Sequence, residues 1–89
     1  MTDLDRIQAL ALSFPCLARA DGVKPFDPDR LKRWSSRASS GEVHAVLFVL
    51  AVWTGGRASP PFMLLEALGC WDDGQRKAFQ AWAAEPWAR

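Results

Sequence analysis

One stretch of the chain has no polar face. In Val43–Trp53 (VHAVLFVLAVW), ten of eleven residues are apolar and only His44 is polar. A helix that is apolar on all sides has to be surrounded by other elements in a folded protein. The pattern therefore predicts a buried central segment. Four residues near its middle cover most of the circumference and are expected to be buried: Val46, Leu47, Val49 and Leu50.

A helix and a buried strand compete for this segment. Its recurring valines favour a strand by propensity. However, eleven residues is long for a fully buried strand, and no partner strand is evident. Ser39 to Glu42 (SSGE) has the S-x-x-E spacing of a capping box, and Gly55 follows the segment as a helix stop. We therefore predict a central helix over about residues 40–54.

Two shorter helical patterns precede this segment. The first begins at Thr2, which has capping-box spacing, and ends near Ser13 because Pro15 disfavours helical geometry at the residue before it. Its apolar stripe consists of Leu4, Ile7, Leu10, Ala11 and Phe14. A second helix is predicted over residues 28–37, after the N-cap Asp27.

Two further helices are predicted after the central one. The fourth spans residues 62–68, with Gly69 as its stop, and the fifth spans residues 73–84, with Asp72 at its start. The apolar stripe of the fifth consists of Phe79, Trp82 and Ala83. The expected fold is all-α: a compact bundle of four or five short helices around a buried central helix, forming a single domain over residues 1–89.

Composition narrows the class of protein further. A content of 49% hydrophobic and 24% charged residues is typical of a folded globular chain, and a net charge of +1 gives no general attraction to nucleic acid or acidic membranes. The N-terminus lacks an apolar signal region, and the apolar segment would form a helix only about 16 Å long, against roughly 30 Å of hydrocarbon. The excess of Arg over Lys and the absence of Asn fit a GC-rich coding sequence. We therefore expect a bacterial, cytoplasmic protein with no membrane partner.

Candidate catalytic and metal-binding groups are few. His44 is the single histidine, lacks a second ligand at helical spacing, and is expected to bond to backbone or solvent. Cys16 and Cys70 match no metal or redox spacing. Asp72 and Asp73 are better explained by their position at a helix N-terminus. The sequence therefore predicts no catalytic residue, no metal and no cofactor, and a protein that is not an enzyme.

The second helix carries the strongest local charge. Residues 24–37 hold five Lys and Arg against two Asp, a local charge of +3, while the rest of the chain sums to −2. Arg30, Arg33 and Arg37 fall on one stripe beside Trp34. Three interpretations remain open: a solvated face whose Arg stems cover the tryptophan, a surface for a protein partner, or one that contacts phosphates and stacks on bases.

Two other tryptophans are candidates for a surface role. Trp71 lies in a connection and Trp87 follows a proline, so each is expected to be partly exposed unless both fold over helix ends. Trp and Arg are enriched at binding hot spots. The favoured function is thus a non-enzymatic protein-interaction module, or a small regulatory or accessory protein, with homodimeric self-association as one form. Its candidate partner-binding residues are Arg30, Arg33, Trp34, Arg37, Trp71 and Trp87.

The alternative function is a small nucleic-acid-binding regulator. It would use the basic helix 28–37 or the last helix 73–84. On the last helix the available residues are Gln75, Arg76, Lys77 and Gln80. Against the last helix, the connection before it is long for a helix-turn-helix, and two aspartates would point negative charge at phosphates.

Overall fold

The chain forms five α-helices and one short 3-10 turn. The computed structural model describes residues 1–89. The elements are α1 (Asp3–Ser13), the 3-10 turn (Pro15–Leu17), α2 (Pro28–Ser35), α3 (Ser40–Thr54), α4 (Leu64–Cys70) and α5 (Asp73–Ala84). Helices make up 63% of the residues and no strand is present, which confirms the predicted all-α fold.

Both ends of α3 are fixed by local hydrogen bonds. The Ser39 Oγ accepts a hydrogen bond from the Glu42 N–H at 3.4 Å, and the Glu42 Oε1 accepts one from the Ser39 N–H at 2.9 Å. The helix ends at Gly55, whose φ of +67° lies in the left-handed region that glycine adopts without Cβ strain. The predicted bounds of the central helix are therefore confirmed.

The helix α3 lies at the centre of the molecule and packs against α1, α2, α4 and the 3-10 turn. Its buried residues are Ala45, Val46, Phe48, Val49, Leu50 and Val52. The prediction that Leu47 is equally enclosed is wrong, because this residue is only half-buried. It belongs to a half-buried stripe with Val43, Ala51 and Thr54, which shows that the neighbouring helices leave one narrow side of α3 partly open.

The helix α2 ends at Ser35, two residues before the predicted end. The Ser35 Oγ donates a hydrogen bond to the Lys32 carbonyl at 2.6 Å, and the Ser36 Oγ donates one to the Arg33 carbonyl at 2.7 Å. Serine side chains that bond to nearby backbone in this way compete with continuation of the helix. Arg37 consequently lies in the turn after α2.

The helix α4 spans Leu64–Cys70 instead of the predicted 62–68. Phe62 lies outside the helix and is half-buried: its ring packs against the core and stacks on Trp71 with 5.7 Å between ring centroids. Gly69 does not end the helix, which continues to the residue before Trp71. Tertiary packing of the aromatic rings thus moves both ends of α4 along the chain.

The inward side of α5 includes two of its three predicted apolar residues. Gln75 and Ala78 are buried, and Phe79 and Trp82 are half-buried. Ala83 is exposed, so the prediction is wrong for this residue. The buried side of α5 is the one that packs against α1 and the 3-10 turn.

The segment after α5 folds back onto the bundle. The Trp82 Nε1 donates a hydrogen bond to the Trp87 carbonyl at 2.9 Å. The Arg89 N–H donates one to the Val52 carbonyl at 2.8 Å. These bonds hold the segment against α5 at one point and against α3 at another.

Candidate functional site

Four of the six residues predicted to bind a partner line one cleft. The cleft has a volume of about 620 Å³ and is formed by α2, the turn after it, the loop before it and the start of α3. We call it the α2 cleft, and its lining consists of Asp21, Arg30, Arg33, Trp34, Ser36, Arg37, Ala38 and Glu42.

The start of α2 positions the arginine stripe. The Asp27 carboxylate accepts hydrogen bonds from the Asp29 and Arg30 N–H groups at 3.1 and 3.2 Å, which satisfies two free donors of the first turn. Leu31 is fully buried and faces the core. Because Leu31 fixes the inward side of the helix, Arg30 and Arg33 remain exposed on the outward side.

The loop before α2 brings an acidic residue to the same cleft. Gly22 has a φ of +86°, and a Cβ placed there would lie 2.5 Å from the Leu31 backbone nitrogen. Only glycine fits this close approach between the loop and α2. Asp21 precedes this contact and lines the α2 cleft as a result.

The α2 cleft has mixed charge. Its three guanidinium groups belong to exposed residues, and its two carboxylates come from Asp21 and Glu42. The hydrogen bond that Glu42 accepts from the Ser39 backbone N–H lowers the pKa of the Glu42 carboxyl below its usual value, so this group is ionised at neutral pH. Trp34 is half-buried against the core and contributes an apolar surface between these charges.

Trp71 is a core residue and does not lie on the surface. Its side chain is 3% exposed, and its Nε1 donates a hydrogen bond to the Gly41 carbonyl at 3.0 Å. The expectation that Trp71 is partly exposed is therefore wrong, and the alternative that it folds back onto the bundle agrees with its burial. Sequence position suggested a connection, but the residue packs among the rings of Phe14, Phe62 and Phe79.

Trp87 is half-buried and does not line the α2 cleft. The guanidinium carbon of Arg6 lies 4.1 Å from the centroid of its ring, a cation–π geometry that ties the segment after α5 to α1. The structure thus separates Trp87 from the arginine stripe of α2.

The remaining polar candidates do not line the α2 cleft. No group of three or more His, Cys, Asp or Glu side chains is arranged to hold a metal ion. The Nδ1 of His44 is buried without a hydrogen-bond partner, so the expected bond is absent at that nitrogen. Cys16 and Cys70 are both free thiols. Partial burial raises the pKa of the Cys16 thiol, which disfavours its reactive thiolate form.

A second surface was missed by the sequence analysis. A groove of about 450 Å³ lies between α3, the start of α4 and α5, and we call it the apolar groove. Its side-chain lining consists of Phe48, Ala51, Val52, Phe62, Leu64, Phe79, Trp82 and Ala88. The one sequence feature that could have indicated it is FMLL at residues 62–65, four consecutive large apolar residues, which a helix cannot all turn towards the core.

Three consecutive apolar residues around the start of α4 are exposed. Met63 is 50% exposed, Leu64 is 40% exposed and Leu65 is 85% exposed. Of these three residues only Leu64 lines the apolar groove, and single exposed apolar side chains are common on protein surfaces.

The comparisons with known proteins identify no relative of this chain. The chain matches no protein-family model, and no curated protein or solved structure matches it. None of its helices combines the length and the apolar character that crossing a membrane requires. The structure itself shows a small all-α helical bundle.

Proposed function

We propose that this chain is a non-enzymatic interaction module that binds a protein partner through the α2 cleft. The observation that carries the proposal is the grouping of three exposed arginines around a half-buried tryptophan in one cleft. Arg and Trp are the residue types most enriched at binding hot spots. We further propose that the module acts in a bacterial cytoplasm, where its two cysteines would stay reduced.

The chemistry of the cleft favours an acidic segment of the partner. Guanidinium groups form bidentate hydrogen bonds with carboxylates, and an apolar residue of the same segment would bury the open face of Trp34. Asp21 and Glu42 would accept hydrogen bonds or a positive charge from the partner. These two carboxylates also set the orientation of the bound segment, because a reversed one would bring like charges together.

A nucleic-acid-binding regulator remains the second candidate. It is favoured by Trp34, which offers a ring for base stacking next to arginines that would contact phosphates. The carboxylates of Asp21 and Glu42 in the same cleft weigh against it, because they repel phosphates. On α5, Gln75 is buried and the Arg76 guanidinium donates to the Leu68 carbonyl at 2.9 Å, which leaves fewer free contacts than the sequence offered.

A charge reversal tests the α2 cleft. Arg33→Glu is compared with Arg19→Glu, which makes the same change of net charge at an exposed residue outside the cleft. We expect both variants to stay within about 0.5 kcal/mol of the parent in stability, as surface substitutions usually do. Capture of the partner from the native host, quantified by mass spectrometry, should fall at least about tenfold for Arg33→Glu only.

Other outcomes would change the proposal. If no captured protein depends on Arg33, the α2 cleft is a solvated face. If the chain binds DNA or RNA with an affinity that falls steeply as salt rises, and Arg33→Glu weakens that binding, the nucleic-acid function replaces the protein partner. An activity that His44→Ala abolishes with the fold intact would make the protein an enzyme.

A further inference from the structure

The arginines of the α2 cleft differ from four other arginines of the chain in having no partner within it. Arg57 and Arg76 donate hydrogen bonds to backbone carbonyls at 3.1 and 2.9 Å. Arg6 and Arg89 lie over tryptophan rings, at 4.1 and 4.0 Å from the ring centroids. The three arginines of the cleft make neither kind of contact and are exposed, so their N–H donors are free for a ligand.

These free guanidinium groups are close enough for one ligand group to reach them together. Arg30 and Arg33 are three residues apart on α2, a spacing that places Cβ atoms about 5–6 Å apart on a helix surface. Arg37 lies in the turn after α2 and lines the same cleft. Each guanidinium presents its N–H donors as a planar fork. The cleft therefore offers three such forks to one anionic group.

We propose that the partner segment carries a phosphorylated side chain whose phosphate binds in the α2 cleft, which rests on the proposed function of this cleft as the partner-binding site. A carboxylate has two oxygens, and one guanidinium fork occupies both in a bidentate pair. A phosphate monoester has three acceptor oxygens and a charge of about −1.5 to −2 at pH 7. It can therefore accept hydrogen bonds from all three arginines at once.

The two carboxylates of the cleft also favour a single phosphate over a run of acidic residues. Asp21 and Glu42 stand among the arginines and repel any further negative charge that passes them. Glu42 is fixed there, because its Oε1 accepts the hydrogen bond from the Ser39 N–H at 2.9 Å. A run of carboxylates, or the repeated phosphates of a nucleic acid, would bring several anions past these groups. A phosphate monoester concentrates its charge at one point.

The rest of the cleft indicates which residues flank the phosphate. The cleft volume of about 620 Å³ leaves space for more than the phosphate itself. An apolar neighbour would cover the open part of the half-buried Trp34 ring. A basic neighbour would face Asp21 and Glu42. The expected ligand is thus a phosphorylated hydroxyl side chain flanked by an apolar and a basic residue.

NMR titration of the ¹⁵N-labelled chain with three capped peptides tests this specificity. The peptides have the sequence Gly-Leu-X-Lys-Gly, in which X is phosphoserine, glutamate or serine. We expect the phosphoserine peptide to bind at least about tenfold more tightly than the glutamate peptide, and the serine peptide not to bind. The indole N–H of Trp34 should shift during the titration.

A charge reversal and its matched control locate the binding. Arg33→Glu should weaken binding of the phosphoserine peptide at least about tenfold, because it replaces one of the forks by a like charge. Arg19→Glu makes the same change of net charge at an exposed residue outside the cleft and should leave the affinity unchanged. Equal binding of the phosphoserine and glutamate peptides, equal effects of the two variants, or no binding of the phosphoserine peptide would refute the phosphate site.

Capture from the native host separates failure of the phosphate site from failure of the proposed function. The extract is treated with a broad-specificity protein phosphatase before capture. Capture of the protein that depends on Arg33 should then fall at least about tenfold. An undiminished capture that still depends on Arg33 would refute the phosphate and leave the proposed function intact. The absence of any captured protein that depends on Arg33, or tighter binding of a short single-stranded RNA than of the phosphoserine peptide, would refute both.

Discussion

Replacing Phe48 by leucine and by alanine tests whether aromatic contacts, and not apolar volume alone, hold the helices around α3. The Phe48 side chain is 3% exposed. Its ring centroid lies 5.0–6.4 Å from the centroids of five other aromatic rings: Phe14, Phe62, Trp71, Phe79 and Trp82. These rings come from α5, from the ends of α1 and α4, and from the segment before α4, so one side chain of α3 contacts every other α-helical region of the bundle except α2.

The magnitude follows from burial and from the aromatic pairs. A buried phenylalanine replaced by alanine costs about 3–5 kcal/mol through lost transfer energy and the cavity left behind. An 89-residue chain has a total stability of roughly 4–13 kcal/mol, so Phe48→Ala removes a large part of it. Leucine keeps much of the volume but loses the aromatic pairs, each of which contributes about 0.5–1.5 kcal/mol without strict additivity. We expect Phe48→Leu to cost about 2–3 kcal/mol.

Phe26 provides the matched control. It is also buried, but its ring has a single aromatic neighbour, Trp53, at 4.9 Å between centroids. Phe26→Leu should therefore cost about 1 kcal/mol. Urea unfolding followed by far-ultraviolet circular dichroism gives the free energy of unfolding for each variant. If Phe48→Leu costs no more than Phe26→Leu, the aromatic cluster adds nothing beyond apolar volume and the reasoning is refuted.

Three further predictions concern the caps, the pH response and the thiols. Ser39→Ala should cost about 1 kcal/mol, measured by thermal unfolding, because it removes the N-cap side chain of α3. The pKa of the Glu42 carboxyl is lowered in the folded protein, so its stabilising contribution is present above the ordinary pKa near 4.5 and is lost as the pH falls through the lowered pKa. Glu42→Gln should make the melting temperature less dependent on pH between these two pKa values, and an unchanged pH profile would contradict this. Cys70 is exposed, whereas burial raises the pKa of Cys16, so alkylation followed by mass spectrometry should label Cys70 first.

The central helix could be predicted because its information is local. The capping box of α3 joins Ser39 and Glu42, which are three residues apart. The apolar run that follows is too long for a fully buried strand, which leaves a helix as the interpretation. The burial of Leu47 was predicted wrongly because it does not depend on local sequence. Its exposure depends on where the neighbouring helices lie, and the helical pattern of α3 alone does not distinguish its open side from its covered sides.

The residues of the candidate sites also differ in whether local sequence or tertiary packing places them. Arg30, Arg33 and Trp34 share a surface because of helical spacing, so the sequence placed them together. Asp21 and Glu42 join them only through tertiary packing, and the mixed charge of the α2 cleft could not be predicted. Trp71 was misassigned because a connection in the sequence is not necessarily exposed: the hydrogen bond to Gly41 and the stacked ring of Phe62 come from distant parts of the chain.

The two surfaces differ in how closely they depend on the core. Trp34 is the only large apolar residue that lines the α2 cleft, and none of the rings around Phe48 lines it. The arginines of the cleft can therefore be changed without disturbing those rings. The apolar groove is different, because Phe48, Phe62, Phe79 and Trp82 form both its walls and the aromatic cluster. A variant of any of these rings would therefore change the stability of the core and the shape of the groove together. An exposed residue outside the cluster, such as Leu65, can be replaced while the core remains intact.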